Sequence, residues 1–228
     1  MNESASDPST AGHTVANTLY KKDFWRRENL NYSRPHYRME KIARIINRLA
    51  GENESALLDV GCGPATLASL LRPNIHYYGI DIAIQEPAPN LIEADFLESP
   101  IAFGNQRFNI IVAQGVFEYV GKFQSQKFAD IAQLLDAGGT FVASYVNFNH
   151  RQTDIYWPYS NVQPINDFRR DLAEHFTIRK SFPTSHNWNH WEPSRKLIRS
   201  ANMHINVNVP VISQYLGVEY FFICSARK

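Results

Sequence analysis

Nine residues, Leu57 to Ala65, reading Leu-Leu-Asp-Val-Gly-Cys-Gly-Pro-Ala, constrain the fold more than any other stretch of the chain. An apolar run from Ala56 to Val60 ends in a turn carrying Gly61 and Gly63, and a short helical pattern from Ala65 to Leu71 follows. Strand, glycine-rich turn and helix in that order form the first unit of a doubly wound α/β sheet. Gly61 and Gly63 are informative because a residue without a Cβ takes positive φ and lets a ligand lie against the backbone. Asp59, two residues before the first glycine, would look into the crevice above the sheet. Taken alone, such a turn also suits a tight β-to-α connection that holds nothing.

More of the pattern follows in order. The run His76 to Ile80 reads as a short buried strand ending at Asp81, placed to accept two ribose hydroxyls of a nucleoside lying across the crevice. Leu91-Ile92 precedes Ala94-Asp95-Phe96, and Phe108 to Gln114 reads as a fourth strand followed by Gly115-Val116-Phe117-Glu118-Tyr119-Val120. With its acid, two glycines and small Ala65 in the third glycine's place, Asp59 to Ala65 resembles the first motif of the class I S-adenosylmethionine (SAM) dependent methyltransferases. The likeness runs from Leu57 to Tyr145, and the Gly-x-Gly-x-x-Gly spacing of a dinucleotide fold, which a nicotinamide dehydrogenase would need, is not met.

The resemblance implies SAM as cofactor, held by Asp59, Gly61, Cys62, Gly63, Asp81, Ile82, Asp95, Phe96 and Gln114. In it Asp81 takes the ribose, Ile82 flanks the adenine and Asp95 meets the adenine amino group. It also implies a Rossmann-like doubly wound sheet of seven strands in three α/β/α layers, the last strand antiparallel. Phe108-Asn109 stands where the family opens its fourth motif with Phe-Asp, and Tyr119 stands where a histidine is common. The Asn/Asp-Pro-Pro-aromatic signature of base-modifying enzymes is absent, Gln114-Gly115-Val116-Phe117 occupying its place. The stretch Val146-Asn147-Phe148 through Pro158-Tyr159-Ser160-Asn161 is faintly similar to the MetW branch.

Composition narrows the partners. In 228 residues, 23 Lys and Arg against 22 Asp and Glu give a formal net charge of +1, with no basic run to track a phosphate backbone, so nucleic acid is not expected. Two cysteines, Cys62 and Cys224, make no disulfide framework and are expected to be reduced and buried. No apolar stretch reaches spanning length, and the polar start has no signal-like core, so the expectation is a cytoplasmic protein without a membrane partner. Self-association into a homodimer stays open.

The length suits one α/β domain, 51–228, preceded by a polar tail expected to be disordered, 1–18, and by a lid arm and leading helix, 19–50. The arm carries Phe24, Trp25, Leu30 and Tyr32 among charges. After Ser33 as N-cap and Pro35 in the first turn, a helix should run to about Leu49 with Met39, Ile42, Ile45, Ile46 and Leu49 on one face. Between the second and third strands Pro87 and Pro89 predict a loop in place of a helix. Gln124 to Asp136 predicts a helix stopped by Gly138 and Gly139, and Thr140 to Val146 a fifth strand. Helix Ile165 to Glu174 and strands Phe176 to Phe182 and Val218 to Cys224 complete the pattern.

The acceptor side is read from aromatic and imidazole groups. Asn147 to Pro164 is a long aromatic and polar loop at a strand's carboxyl end, where open α/β sheets place substrate contacts. Tyr32, Tyr37, Tyr119, Tyr145, Tyr156, Trp157 and Trp188 are the candidate substrate-binding residues for a small-molecule acceptor. If the acceptor is a hydroxyl, a base is required, and His150, His186 and His190 are the candidates because imidazole titrates near working pH. No metal site is expected, since the spacing of His186 and His190 lacks supporting carboxylates. The expected function is methylation of a hydroxyl on a planar or sugar-like small molecule. The alternative is a catalytically silent SAM-binding subunit that regulates or assembles with a partner.

Overall fold

The structure is a computed structural model that describes residues 22–97, 103–147, 163–186 and 217–227. Seven strands among them form one sheet: β1 (Ser55–Val60), β2 (Ile75–Asp81), β3 (Leu91–Glu93), β4 (Phe108–Ala113), β5 (Leu135–Val146), β6 (Phe176–His186) and β7 (Gly217–Ala226). Their order is β3-β2-β1-β4-β5-β7-β6. β1 to β5 pair parallel, and β7 runs antiparallel between β5 and β6. The order reverses between β1 and β4, so the carboxyl ends of these two strands diverge and open a crevice.

Alternation along the strands sorts the core into two layers. Leu57, Ile110, Val112, Val142 and Phe221 face α2 (Tyr37–Ala50), meeting Met39, Ile42, Ala43 and Ile46. Leu58, Ile111, Phe141 and Phe222 face the opposite way, toward Phe128 and Ile131 of α3 (Gln124–Leu134) and Phe168 and Leu172 of α4 (Ile165–His175). Leu57 beside Leu58 and Ile110 beside Ile111 show why these strands read as continuous apolar runs: both faces are covered. The three-layer expectation holds.

Four details depart from the sequence reading. The N-cap of α2 is His36 and not Ser33, its Nδ1 accepting from the Met39 N–H at 3.5 Å. Residues before it are held in the arm, where Thr66 Oγ1 donates to the Tyr32 carbonyl at 2.7 Å, so the helix cannot begin earlier. Its buried stripe is Met39, Ile42, Ala43, Ile46 and Ala50, and Leu49 stays 40% exposed. The element after the glycine turn is only a 3-10 turn, Thr66–Leu70, since Pro73 forces Arg72 toward extended backbone and leaves no length for an α-helix.

The fourth departure concerns Gly138 and Gly139, which do not stop α3. The helix ends at Leu134, Leu135 already pairs with Phe108, and the ladder resumes at Thr140 opposite Ile110. Four residues are thereby bulged against one, with Gly138 supplying φ of 81°. The loop between β2 and β3 has no helix, as its prolines predicted, and Cys62 and Cys224 are both buried free thiols.

Tight packing behind the glycine turn yields a first prediction. A Cβ on Gly79 of β2 would lie 2.7 Å from Cys62 Sγ and 2.8 Å from Leu91 Cδ2. Gly79→Ala is expected to cost about 1 to 3 kcal/mol in urea unfolding, as overpacking does. Adding Cys62→Ala should recover part of that cost, because the two sites share the space.

Candidate functional site

A cavity of about 370 Å³ lies over the carboxyl ends of β1, β2 and β4. Its floor is the turn after β1. Gly61 and Gly63 take φ of 72° and 53°, and Ala65 takes 55°, a left-handed conformation uncommon for a residue with a Cβ. A Cβ on Gly61 would sit 2.5 Å from Val116 Cγ2, so the turn and the segment after β4 approach as closely as a bare backbone allows.

Asp81 shapes this turn. Its Oδ2 accepts from the Gly63 N–H and its Oδ1 from the Ala83 N–H, both at 2.8 Å. A carboxylate oxygen can accept more than one hydrogen bond, so the group that holds this backbone can also bind a ligand hydroxyl. Asp59 is 5% exposed and takes the Tyr77 hydroxyl on Oδ2 at 2.7 Å. Burial pushes its carboxyl up to about 7, the Tyr77 hydrogen bond opposing and nearby Asp81 adding to the rise.

The far wall carries two polar atoms without partners. Asp95 Oδ1 accepts from the Leu97 N–H at 2.8 Å, whereas its Oδ2 is buried with no hydrogen-bond partner among the described residues. Gln114 Nε2 is in the same condition. Both residues line the cavity. Unpaired buried polar atoms cost stability, so an acceptor and a donor left open in one cavity mark where a ligand's own donor and acceptor belong. Phe96, on the same wall, is backed by buried Lys127, whose ammonium lies 5.2 Å from the ring centroid.

The arm contributes to the cavity wall. In α1 (Lys22–Glu28), Lys22 pairs with Glu93, and Gln85 Nε2 donates to the Arg26 carbonyl at 2.9 Å. Trp25 meets Tyr119 edge-on, ring centroids 5.3 Å apart, and both line the cavity with Tyr32 and His36. The arm thus touches the ends of β2, β3 and β4 through Gln85, Glu93 and Tyr119.

All nine predicted cofactor residues, Asp59, Gly61, Cys62, Gly63, Asp81, Ile82, Asp95, Phe96 and Gln114, line this one cavity, and Tyr32 and Tyr119 join them. Two acceptor candidates do not. Tyr145 is a core residue: it is fully buried, stacked on Phe168 at 4.0 Å between centroids, with its hydroxyl accepting from the Gln163 N–H at 3.0 Å. Tyr37 is 40% exposed and outside the cavity lining, because helical rotation at the start of α2 turns it away while bringing Arg38 and Met39 in. His150, His190, Tyr156, Trp157 and Trp188 lie outside the described residues, and His186 is described only by its main chain at the end of β6.

Sequence reasoning passed over a charged cluster in the cavity wall. Arg38 of α2 and Glu118, in the 3-10 turn Phe117–Tyr119 after β4, both line the cavity. Arg38 Nη2 pairs with Glu219 of β7, whose Oε2 accepts from the Thr184 hydroxyl at 3.2 Å. Lys41 donates to the Thr184 carbonyl. Glu118 Oε1 accepts from the Val146 N–H at 3.0 Å, while Oε2 and Arg38 Nε are buried without partners among the described residues. The available signal was an arginine in the first turn of an amphipathic helix and an acid five residues past a buried strand, neither distinctive on its own.

Comparison with known proteins agrees with this architecture. A family model described as a methyltransferase domain matches residues 34–201. A search of curated sequences finds no match. Among solved structures, a chain from the Haloferax volcanii complex between the Trm112 methyltransferase activator and its methyltransferase superposes with a TM-score of 0.63 at 16% identity, covering 91% of this chain and 98% of that one. A SAM-dependent methyltransferase from Archaeoglobus fulgidus gives 0.59 at 14% identity, covering 92% and 97%. The N-methyltransferase NodS from Bradyrhizobium japonicum WM9, in complex with S-adenosylhomocysteine, gives 0.54 at 13% identity, covering 83% and 86%.

Proposed function

Because the chain belongs to the methyltransferase-domain family and is a SAM-dependent methyltransferase of class I, we propose that it methylates a hydroxyl on a planar or sugar-like small molecule. The observation that carries this reading is the cavity itself. At about 370 Å³ it is near the lower bound for small-ligand pockets, it carries aromatic Trp25, Tyr32 and Tyr119, and among the described residues no basic stripe leads into it. SAM supplies an electrophilic methyl group on a sulfonium whose departure needs no proton.

The residues present fit the cofactor. Asp95 Oδ2 is an open acceptor for the adenine amino group, Asp81 an acceptor for ribose, and the Gly61 turn a backbone surface against which it lies. What the chain must add is alignment and, for a hydroxyl, a proton acceptor. His150, His186 and His190 are proposed as sources of that base.

Calorimetry tests the cofactor assignment. Asp95→Ala should weaken S-adenosylhomocysteine binding by roughly 5- to 150-fold, the cost of one hydrogen bond to a buried carboxylate. Incubating the protein with methyl-tritiated SAM and a fractionated lysate tests the acceptor. Label in the low-mass fraction supports the proposal, and label confined to RNA or protein overturns it. A second reading, a SAM-binding subunit that works with a partner, draws on the Haloferax volcanii structure, which contains a methyltransferase activator. Cofactor binding with no transfer to any fraction would favour it.

A further inference from the structure

Glu118 is the best-placed acid in the cavity that the cofactor motifs leave unused. It is 6% exposed, and its position is fixed from both sides. Phe117, the preceding residue, is buried and stacked on Phe128 of α3 at 4.6 Å, and the Val146 N–H holds Oε1. Only Oε2 is left over. Arg38 lines the same cavity, committed to Glu219 through Nη2 but with its buried Nε–H without a hydrogen-bond partner among the described residues. No ion pair within 4.0 Å joins Arg38 to Glu118 among the described residues, so the two do not satisfy each other.

One buried acceptor and one buried donor border the same cavity, and a single group that meets both is tightly specified. It must donate to a carboxylate oxygen and accept from a guanidinium N–H, which a hydroxyl does with its single oxygen. A carboxylate or phosphate would satisfy Arg38 and repel Glu118. An ammonium would satisfy Glu118 and repel Arg38.

We propose that Glu118 is the catalytic residue that takes the proton from the acceptor hydroxyl, with Arg38 Nε–H positioning the same oxygen. The assignment rests on the O-methylation reading above. As that oxygen bonds to the methyl carbon, the carbon–sulfur bond breaks with its electron pair left on sulfur. The hydroxyl proton passes to Glu118 Oε2, and the carboxylic acid returns it to water after the product leaves.

Electrostatics suit the task. Burial raises the Glu118 carboxyl to about 7, neighbouring Glu219 adding to the rise while Arg38 and the Val146 N–H oppose it. Among the described residues, the charged and titratable groups facing it are Arg38 of α2, Glu219 of β7 and Tyr145 of β5. His36, at the start of α2, lines the same cavity with its imidazole held toward the neutral form, by burial first and by Arg38 second. A base whose midpoint lies near working pH is ionised often enough to accept a proton and basic enough to keep it through the transition state.

Two measurements test the assignment. In protein labelled with [13Cδ]glutamate and saturated with S-adenosylhomocysteine, the resonance lost in Glu118→Gln should titrate with a midpoint near 7. A midpoint under about 5, the ordinary range, overturns the proposal. Transfer of tritiated methyl from SAM to a mixture of phenols, catechols and sugar alcohols should rise with pH through that midpoint. It should fall roughly 10²- to 10⁴-fold in Glu118→Gln, with the KM for SAM unchanged and partial rescue in Glu118→Asp. Activity within a few fold of the original, with the pH limb intact, overturns the assignment and returns the base to the histidines. A wild-type protein that binds SAM and methylates nothing in the mixture refutes the O-methylation reading beneath it, a failure the glutamate titration keeps separate.

Discussion

Asp81→Ala is expected to weaken SAM and S-adenosylhomocysteine binding on the order of 10²- to 10³-fold, more than the loss of a ribose contact alone explains. Hydrogen bonds from two ribose hydroxyls to a carboxylate account for the lower figure. The remainder comes from the backbone, since the same carboxylate fixes the Gly63 and Ala83 N–H groups at 2.8 Å and so sets the shape of the turn. Asp81→Asn separates the contributions. Its amide oxygen serves one N–H, its NH₂ faces the other donor-to-donor, and its affinity should fall between those of wild type and Ala. Calorimetry with S-adenosylhomocysteine reads the affinities, and urea unfolding reads the backbone part. Unchanged affinity in Asp81→Ala would place the ribose elsewhere.

The parts of the fold legible in the sequence were those where one local pattern dictates the outcome. Ser55–Val60 and Phe108–Ala113 are apolar on both faces because helices cover both, and each ends in the glycine or short polar turn that a parallel strand needs. Asp59, Asp81 and Asp95 sit at strand ends, where strand order alone brings them to one crevice. Legibility failed where tertiary contact outweighs local preference. Ser33 has the better capping side chain, yet the Thr66 hydroxyl on the Tyr32 carbonyl holds that stretch in the arm and passes the cap to His36. Tyr145 reads as a site tyrosine at the end of a strand, but α4 places Phe168 on its ring and residue 163 on its hydroxyl. The Arg38, Glu118 and Glu219 cluster joins residues 181 positions apart at its extremes, and no period or motif announces such a pairing.

Asp59→Asn is expected to stabilise the ligand-free protein by about 3 to 4 kcal/mol at pH 8 and to change it little near pH 4. The sign follows from linkage. Burial raises the folded-state midpoint of Asp59 from the ordinary 3.8 to about 7. Between those values the folded chain holds a proton that the unfolded chain has released, so stability falls as pH rises through the window and levels off above it. Asparagine carries no charge to desolvate, and its carbonyl still accepts the Tyr77 hydroxyl, so the pH-dependent cost disappears while the hydrogen bond stays. Glu118 contributes a parallel slope from its own raised midpoint, and His36, with its midpoint lowered by burial and Arg38, opposes on the acid side. The difference between variant and wild type in urea unfolding at several pH values isolates Asp59 from both. A constant difference across that range would show that the carboxyl is already ionised in the folded chain. Against a net stability of roughly 5 to 15 kcal/mol, a cost of this size is retained only where it serves a ligand, and the cavity-lining position of Asp59 says which kind. A cationic cofactor favours the ionised carboxylate, so SAM affinity should rise between about pH 6 and pH 8 in wild type and rise less in Asp59→Asn, where Glu118 alone of the two raised carboxyls remains.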